Sequence, residues 1–429
     1  MTLTFSAPTP HWALKGMPRR AEELPPSDVD QLRLSLLRDD LMLPAAVIRA
    51  DSLAHNRAWM RRFIADAGVD LCPHGKTTMS PQLFAMQLED GCWGLTAATA
   101  HHVRIYRRLG VSRILMANPL VGRSNIEYVL DELARDARFD FYCLVDSIAS
   151  VESLATAAKQ RGLDRPIQVL LEVGNPGGRA GVRTRHEALD VARAVRCASP
   201  HLSLRGVETF EGLYGPTDDG ESNVREMLNR VTQVAGDLHA AAQFAPGEVI
   251  LSAGGSAFFD LVVPALRSAL PGMTKRIVLR SGCYITHDAG MYSAAQKRME
   301  TRSPQLTRLG AGLRPALEVW SHVQSRPEPS LALVGMGKRD LSHDADLPRP
   351  MAWHRPGIAS APKMLDERYR VARLNDQHAY LELPADSTLA VGDLVGFGIS
   401  HPCTTFDKWR RLFIVDADYR VVGHVDTCF

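Results

Sequence analysis

The chain has 429 residues, 45% of them apolar, with 50 Lys and Arg against 48 Asp and Glu and a formal net charge of +2. This length fits one large α/β domain plus a smaller one, the balanced charge gives no general field for nucleic acid or an anionic membrane, and no charge-free apolar run approaches the roughly 18 residues of a membrane span. Seven cysteines stand singly without a CxxC pair, and the first residues lack the basic start and apolar core of a secretory signal, so reduced thiols and a cytoplasmic location are expected.

Residues 1–42 are Pro-rich and charged, with a helical stretch near Val29–Leu37, and read as an N-terminal extension packing on a β domain. From residue 43 the texture changes. Pro44–Ala50 reads as a buried strand, and Asp51 or Ser52 caps the helix after it. Short apolar runs follow at Val69–Cys72, Gly94–Thr96, Arg113–Met116, Phe141–Val145, Ile167–Val173, Leu204–Phe210, Val249–Ser252 and Ile277–Arg280, with amphipathic stretches such as Ile148–Arg161 and Arg185–Ala198 between them. Strands alternating with helices imply parallel βα units. Over 43–300 they predict a (β/α)8 barrel. A doubly wound open sheet is the alternative, but no GxGxxG follows the first strand. Over 301–429 the strand-like segments Leu317–Gln324, Leu331–Val334, Tyr369–Leu374, His378–Leu383, Leu394–Ile399, Leu412–Asp416 and Arg420–Val425 predict a mostly-β domain.

In a barrel, chemistry sits at the carboxyl ends of the strands. Lys76, Arg179, Glu211, Gly254-Gly255 and Tyr284 each follow a candidate strand. Lys76, flanked by Pro73, Gly75 and Pro81, is either a solvated lysine or an amine able to hold an aldehyde cofactor as a Schiff base. Ser252-Ala253-Gly254-Gly255-Ser256 is either a plain strand-to-helix turn or a phosphate cradle of free N–H groups. Arg280-Ser281-Gly282-Cys283-Tyr284 either completes that cradle with its hydroxyls or packs the rim. Arg179, in a Gly-rich loop, holds a cofactor ring oxygen, a carboxylate or a structural salt bridge. His401 and Cys403, read as an extended segment, would point to one face. They are then either a packed His beside a buried Cys or an open zinc pair.

Together these pieces resemble the fold-type III pyridoxal-phosphate enzymes, the alanine-racemase-like class, and within it the D-serine dehydratase and D-threonine aldolase branch. The resemblance is carried by Pro73-His74-Gly75-Lys76-Thr77, Phe210-Glu211-Gly212, Gly254-Gly255, Arg280–Tyr284 and His401-Pro402-Cys403, and runs from about Leu43 onward. Phe210 stands where the branch usually has tyrosine. The leader and the Lys338–Asp344 region resemble a longer, deaminase-like subgroup. The resemblance implies pyridoxal 5'-phosphate on Lys76, with Arg179, Gly254, Gly255, Ser256 and Tyr284 around it. It implies Zn2+ or another divalent cation on His401 and Cys403, and a homodimer. The expected substrate is a D-3-hydroxy amino acid such as D-serine or D-threonine, dehydrated to a 2-keto acid and ammonia, with Lys76 taking the α-proton. Cys403 favours dehydration over aldol cleavage, because the aldolase-like members tend to place a carboxylate there. A pyridoxal-phosphate-binding homeostasis protein without catalysis is the alternative of another class. His378 and Asp344 are candidates for pocket contacts.

Overall fold

The computed structural model describes residues 11–18 and 32–429. Regular structure opens with Ala45–Arg49 (β1) and Ala50–Ala67 (α1). Strands and helices then alternate: Asp70–Leu71 (β2), Pro81–Glu89 (α2), Leu95–Ala97 (β3), Ala100–Arg108 (α3), Arg113–Pro119 (β4), Arg123–Arg135 (α4), Asp140–Val145 (β5), Ile148–Arg161 (α5), Ile167–Glu172 (β6), Arg185–Cys197 (α6), Leu202–Thr209 (β7), Asp218–Ala240 (α7), Val249–Ala253 (β8), Phe259–Ser268 (α8), Lys275–Leu279 (β9) and Met291–Arg302 (α9).

Strands β2 to β9 form one eight-stranded parallel sheet in the order β2-β9-β8-β7-β6-β5-β4-β3. Its two edges meet. His74 bridges Thr96 in parallel register, and the N–H groups of Trp93 and Thr96 donate to the carbonyls of Leu71 and Pro73 at 2.8 and 2.9 Å. The sheet thus curls into the barrel the alternation predicts, with the apolar stripes of the helices packed around it. Alternate side chains point inward and stack in layers. The middle layer is apolar, with Cys72, Leu115, Tyr142, Leu170, Ile250 and Val278. Two residues further along their strands the layer turns polar: Glu172, Glu208, Ser252 and Arg280 are all buried there. That layer is the floor of the barrel's carboxyl end.

The second sheet is antiparallel in most of its pairs. Its strands are Leu317–Glu328 (β10), Leu331–Val334 (β11), Arg349–His354 (β12), Lys363–Met364 (β13), Arg370–Leu374 (β14), Ala379–Glu382 (β15), Leu394–Gly398 (β16), Arg411–Val415 (β17) and Val421–Asp426 (β18). β1 belongs here and not to the barrel. It runs antiparallel to β10 and parallel to β17. Its burial is as expected, but an apolar run does not say which sheet it joins. β12 is a strand that the sequence reading leaves out. Pro350 argues against a strand, and a register shift between Pro350 and Ala352 accommodates it.

Of the expected helix near Val29–Leu37, residues 29–31 lie outside the described residues. Residues 32–37 do not form one: Ser35 bridges Arg420, and the Leu36 N–H donates to the Tyr419 carbonyl at 3.0 Å. Leu14, Met17, Leu34 and Leu36 pack with Trp320, Phe413 and Tyr419 of this second sheet. Among the described residues no helix is long and apolar enough to cross a membrane.

Candidate active site

Lys76 lies in a single 3-10 turn, Gly75–Thr77, just past β2. The turn is tightly specified. Its N–H groups at Thr77, Thr78 and Met79 donate back to His74 and Gly75 at 3.2, 3.2 and 2.9 Å. A Cβ on Gly75 would run into the rings of Tyr106 and Phe84. Met79 takes a left-handed φ of 44°, and its carbonyl accepts the Cys428 N–H at 2.8 Å. Among the described residues the half-buried Lys76 amine has no hydrogen bond or ion pair. Its charge is felt by two imidazoles. Burial first, then Lys76 and Arg280, hold His74 well below the usual imidazole value. Burial, with His101 and Lys76, holds His102 down at about 4.

The polar floor beside this turn is under-satisfied. Arg280 Nη2 lies 2.6 Å from Glu208 Oε2, and Arg280 donates from Nη1 to Ser252 Oγ at 2.7 Å and from Nη2 to the Thr209 carbonyl at 3.1 Å. The ion pair is close but poorly aimed. Arg280 Nε, both Glu208 oxygens, Glu172 Oε2 and His74 Nδ1 have no hydrogen-bond partner among the described residues. Burial, helped by Glu208, pushes the Glu172 carboxyl up to about 8, and burial likewise raises Glu208. Unmatched buried donors and acceptors of both kinds fit a planar polar ligand lying across the barrel mouth. Glu208, which the sequence reading does not single out, belongs to this floor. Nothing local marks it, because its strand also carries Ser203, Arg205 and Thr209.

The glycine loop behaves differently from expectation. The N–H groups of Gly254 and Gly255 donate to the Glu211 carboxylate at 3.0 and 2.8 Å. They already hold a carboxyl group of the chain itself, so a phosphate at these two amides requires Glu211 to move. Ser281 Oγ donates to the Gly255 carbonyl at 2.5 Å, and Ser256 sits half-buried at the loop's end. Arg179 is exposed at the rim, its guanidinium 4.5 Å over the Phe210 ring, and forms no ion pair among the described residues. Phe210 serves as its stacking platform.

Tyr284 corrects the sequence reading. It is buried, and its phenol bonds to Gln87 and Cys92. Those residues lie at the end of α2 and beyond it, where the chain has returned toward the amino ends of the strands. The hydroxyl therefore belongs to the shell between barrel and helix and not to the cradle at Gly254 and Gly255.

His401 and Cys403 are also set differently from the extended segment expected. Pro402 has helical dihedrals, and Cys403–Phe406 is one helical turn. The two side chains still meet in a hydrogen bond. Burial opposes a charge on His401, yet Cys403 and Asp344 together hold its value up at about 9. The hydrogen bond from Cys283, then His401, holds the Cys403 thiol well below the usual range. Asp344 Oδ2 lies 2.7 Å from His401 Nδ1. Cys403 Sγ lies 3.4 Å from Thr77 Oγ1 and 3.7 Å from Cys283 Sγ. The second sheet thus delivers a soft donor pair directly against the Lys76 turn, although 326 residues separate Thr77 from Cys403. Among the described residues no three His, Cys, Asp or Glu side chains are grouped to hold a metal. The pair therefore offers one imidazole and one thiolate, a donor set that suits zinc with open positions. His378 lies in the exposed turn after β14, apart from this cluster.

Comparison with known proteins agrees with this layout. Residues 48–270 match the family described as alanine racemase, N-terminal domain, and residues 316–415 match a serine dehydratase domain. The 3-hydroxy-D-aspartate aldolase of Paracoccus denitrificans (strain Pd 1222) is 24% identical over 313 residues, 72% of this chain and 75% of that protein. The D-threo-3-hydroxyaspartate dehydratase of Delftia sp. (strain HT23) is 27% identical over 252 residues, 58% of this chain and 62% of that protein. A variant of a D-threo-3-hydroxyaspartate dehydratase has been solved in what is described as a metal-free form, with a TM-score of 0.69 at 22% identity over 92% of this chain and 99% of that one. The crystal structure of D-threonine aldolase from Filomicrobium marinum shares the fold with a TM-score of 0.72 at 22% identity, covering 90% of this chain and 95% of that one. With its barrel so matched, the chain belongs to the alanine racemase N-terminal domain family, the fold-type III pyridoxal-phosphate enzymes.

Proposed function

We propose that the protein is a pyridoxal-phosphate- and zinc-dependent lyase that dehydrates a D-3-hydroxy amino acid, such as D-serine or D-threonine, to a 2-keto acid and ammonia. The observation that carries this reading is the approach of Cys403 Sγ to within 3.4 Å of Thr77 Oγ1, next to Lys76. A lysine suited to a carbonyl cofactor and a thiolate–imidazole pair suited to a metal share one wall. The relatives named above act, by their names, on 3-hydroxy-D-aspartate and D-threonine, which agrees with a hydroxyl-bearing D-amino acid.

Lys76 Nζ would hold the cofactor and, once released from it, take the α-proton of the substrate. Bound pyridoxal phosphate supplies an electron sink for the charge left behind. The unmatched atoms of His74, Glu172, Glu208 and Arg280 would meet its ring, while Arg179 and Ser256 serve its rim. Gly254 and Gly255 would serve the phosphate once Glu211 has released them. His401 and Cys403 would hold the metal, whose Lewis acidity acts on the β-hydroxyl. A homodimer and a cytoplasmic location complete the reading.

A panel of D-3-hydroxy amino acids, D-serine, D-threonine and 3-hydroxy-D-aspartate included, tests it when keto acid, ammonia and aldehyde are all measured with and without chelator. Keto acid and ammonia in equal amounts, lost on chelation, are expected. Aldehyde as the main product moves the assignment to an aldolase, which the Paracoccus relative's name favours. Bound cofactor with no turnover of any substrate moves it to a non-catalytic binding protein.

A further inference from the structure

We infer that Asp344 is the positioning residue of the metal pair: its carboxylate fixes which nitrogen of His401 is free to bind a metal. The inference rests on the metal reading above.

An imidazole can ligate through either nitrogen, and a carboxylate on one of them holds the proton there and leaves the other lone pair outward. Asp344 Oδ2 lies 2.7 Å from His401 Nδ1. The second oxygen is also used, since Thr404 Oγ1 donates to Asp344 Oδ1 at 2.7 Å. With both oxygens engaged, the carboxylate cannot rotate away, and Nε2 is the nitrogen left for a metal. The same facts exclude another role: a carboxylate bonded to Nδ1 lies on the wrong side of the ring to be a third ligand beside Nε2.

The backbone around it is built to hold this geometry. Asp344 lies in the connection between β11 and β12. There the Ser342 N–H donates to Thr405 Oγ1 at 3.0 Å, Ser342 Oγ accepts the His401 N–H at 3.1 Å, and Ser400 Oγ donates to the Asp346 carbonyl at 2.7 Å. The connection is clamped onto the segment that bears the pair, on both sides of His401. This gives a purpose to the Lys338–Asp344 region, which the proposed activity alone leaves unexplained.

The test is zinc titration of metal-free, cofactor-loaded wild type, Asp344→Asn, Asp344→Ala, Thr404→Val and Ser342→Ala, with a competing chromophoric chelator. Cofactor absorbance and circular dichroism are recorded for each. Both Asp344 variants should bind zinc roughly 10- to 100-fold more weakly, with cofactor retention and fold unchanged. Asp344→Asn keeps the shape and so guards against a folding defect in the alanine variant. Thr404→Val, which frees one carboxylate oxygen, should weaken zinc binding less than either Asp344 variant, and Ser342→Ala should stay within about threefold of wild type. Equal affinity in wild type and Asp344→Asn overturns the role of Asp344 alone. A loss in Ser342→Ala as large as in Asp344→Asn also overturns it, because loop docking would then be the cause. Wild type that binds no zinc overturns both this inference and the metal reading beneath it.

Discussion

In the proposed reading Lys76 is the residue on which the chemistry turns, and its surroundings suit that role. The turn that carries it is closed by three backbone hydrogen bonds, so removing the amine should leave the turn intact. Lys76→Ala should abolish covalent cofactor attachment, read as loss of the cofactor's visible band and of the borohydride-trapped mass increment, with an unchanged circular dichroism spectrum. A trapped adduct in the variant would place the attachment elsewhere. Glu172 offers a second test at this scale. With its value raised to about 8, the folded protein keeps a proton that the unfolded chain releases near pH ~4.3. The stability contributed by that protonated carboxyl is complete at low pH and is lost as pH rises through about 8. Glu172→Gln cannot ionise. Its melting temperature relative to wild type should therefore climb with pH across this window in cofactor-free protein. A flat difference between the two melting curves would show that Glu172 is already ionised.

Among the elements, β7 shows how close packing shapes the site. Gly206 faces the barrel interior opposite Leu170 and Ile250, and a Cβ there would collide with the Ile250 carbonyl. Gly206→Ala should cost about 3 kcal/mol, because the obstacle is backbone in a closed barrel and cannot swing aside. Urea unfolding measures this, and a cost below about 0.5 kcal/mol would mean that the strands part easily. The strand's tight seat matters because Glu208 follows two residues later and faces Arg280. The element bearing His401 and Cys403 teaches the opposite lesson. It is a helical turn, not a strand, and hydrogen bonding still brings the two side chains together.

Across the whole molecule, one sheet supplies the lysine and the other supplies the donor pair. The second sheet must therefore be held firmly, and the N-terminal segment contributes to this. Lys15 Nζ lies 3.0 Å from Asp340 Oδ1, donates to the Arg339 carbonyl at 3.0 Å, and sits 4.1 Å from the centre of the Trp409 ring. Asp340 is nearly inaccessible, its side chain 2% exposed, whereas that of Lys15 is 41% exposed. Lys15→Ala would leave the buried carboxylate without its cation. The partial exposure of Lys15 discounts the loss to about 1–2 kcal/mol. Equilibrium unfolding monitored by tryptophan fluorescence should register it, and no change would mean that the Gly337 N–H and Gln377 satisfy Asp340 alone.

The sequence by itself determined the eight βα units, the change to a β-rich texture after residue 300, and the turn that carries Lys76. Each of these rests on local patterning: apolar runs of strand length, capped helices between them, and Pro and Gly around a lysine. Tertiary structure alone decided which sheet β1 joins, that Tyr284 turns into the helix shell, and that Glu211 occupies the amides of Gly254 and Gly255. It also decided that Asp344 reaches His401 and that Cys403 meets Thr77. These depend on directions in space between residues tens to hundreds of positions apart, and a one-dimensional period of two or 3.6 carries no such direction. The buried acids of the barrel floor show the limit most clearly. Glu172 and Glu208 look like ordinary strand residues in sequence, and only closure of the barrel removes them from water and raises their affinity for protons.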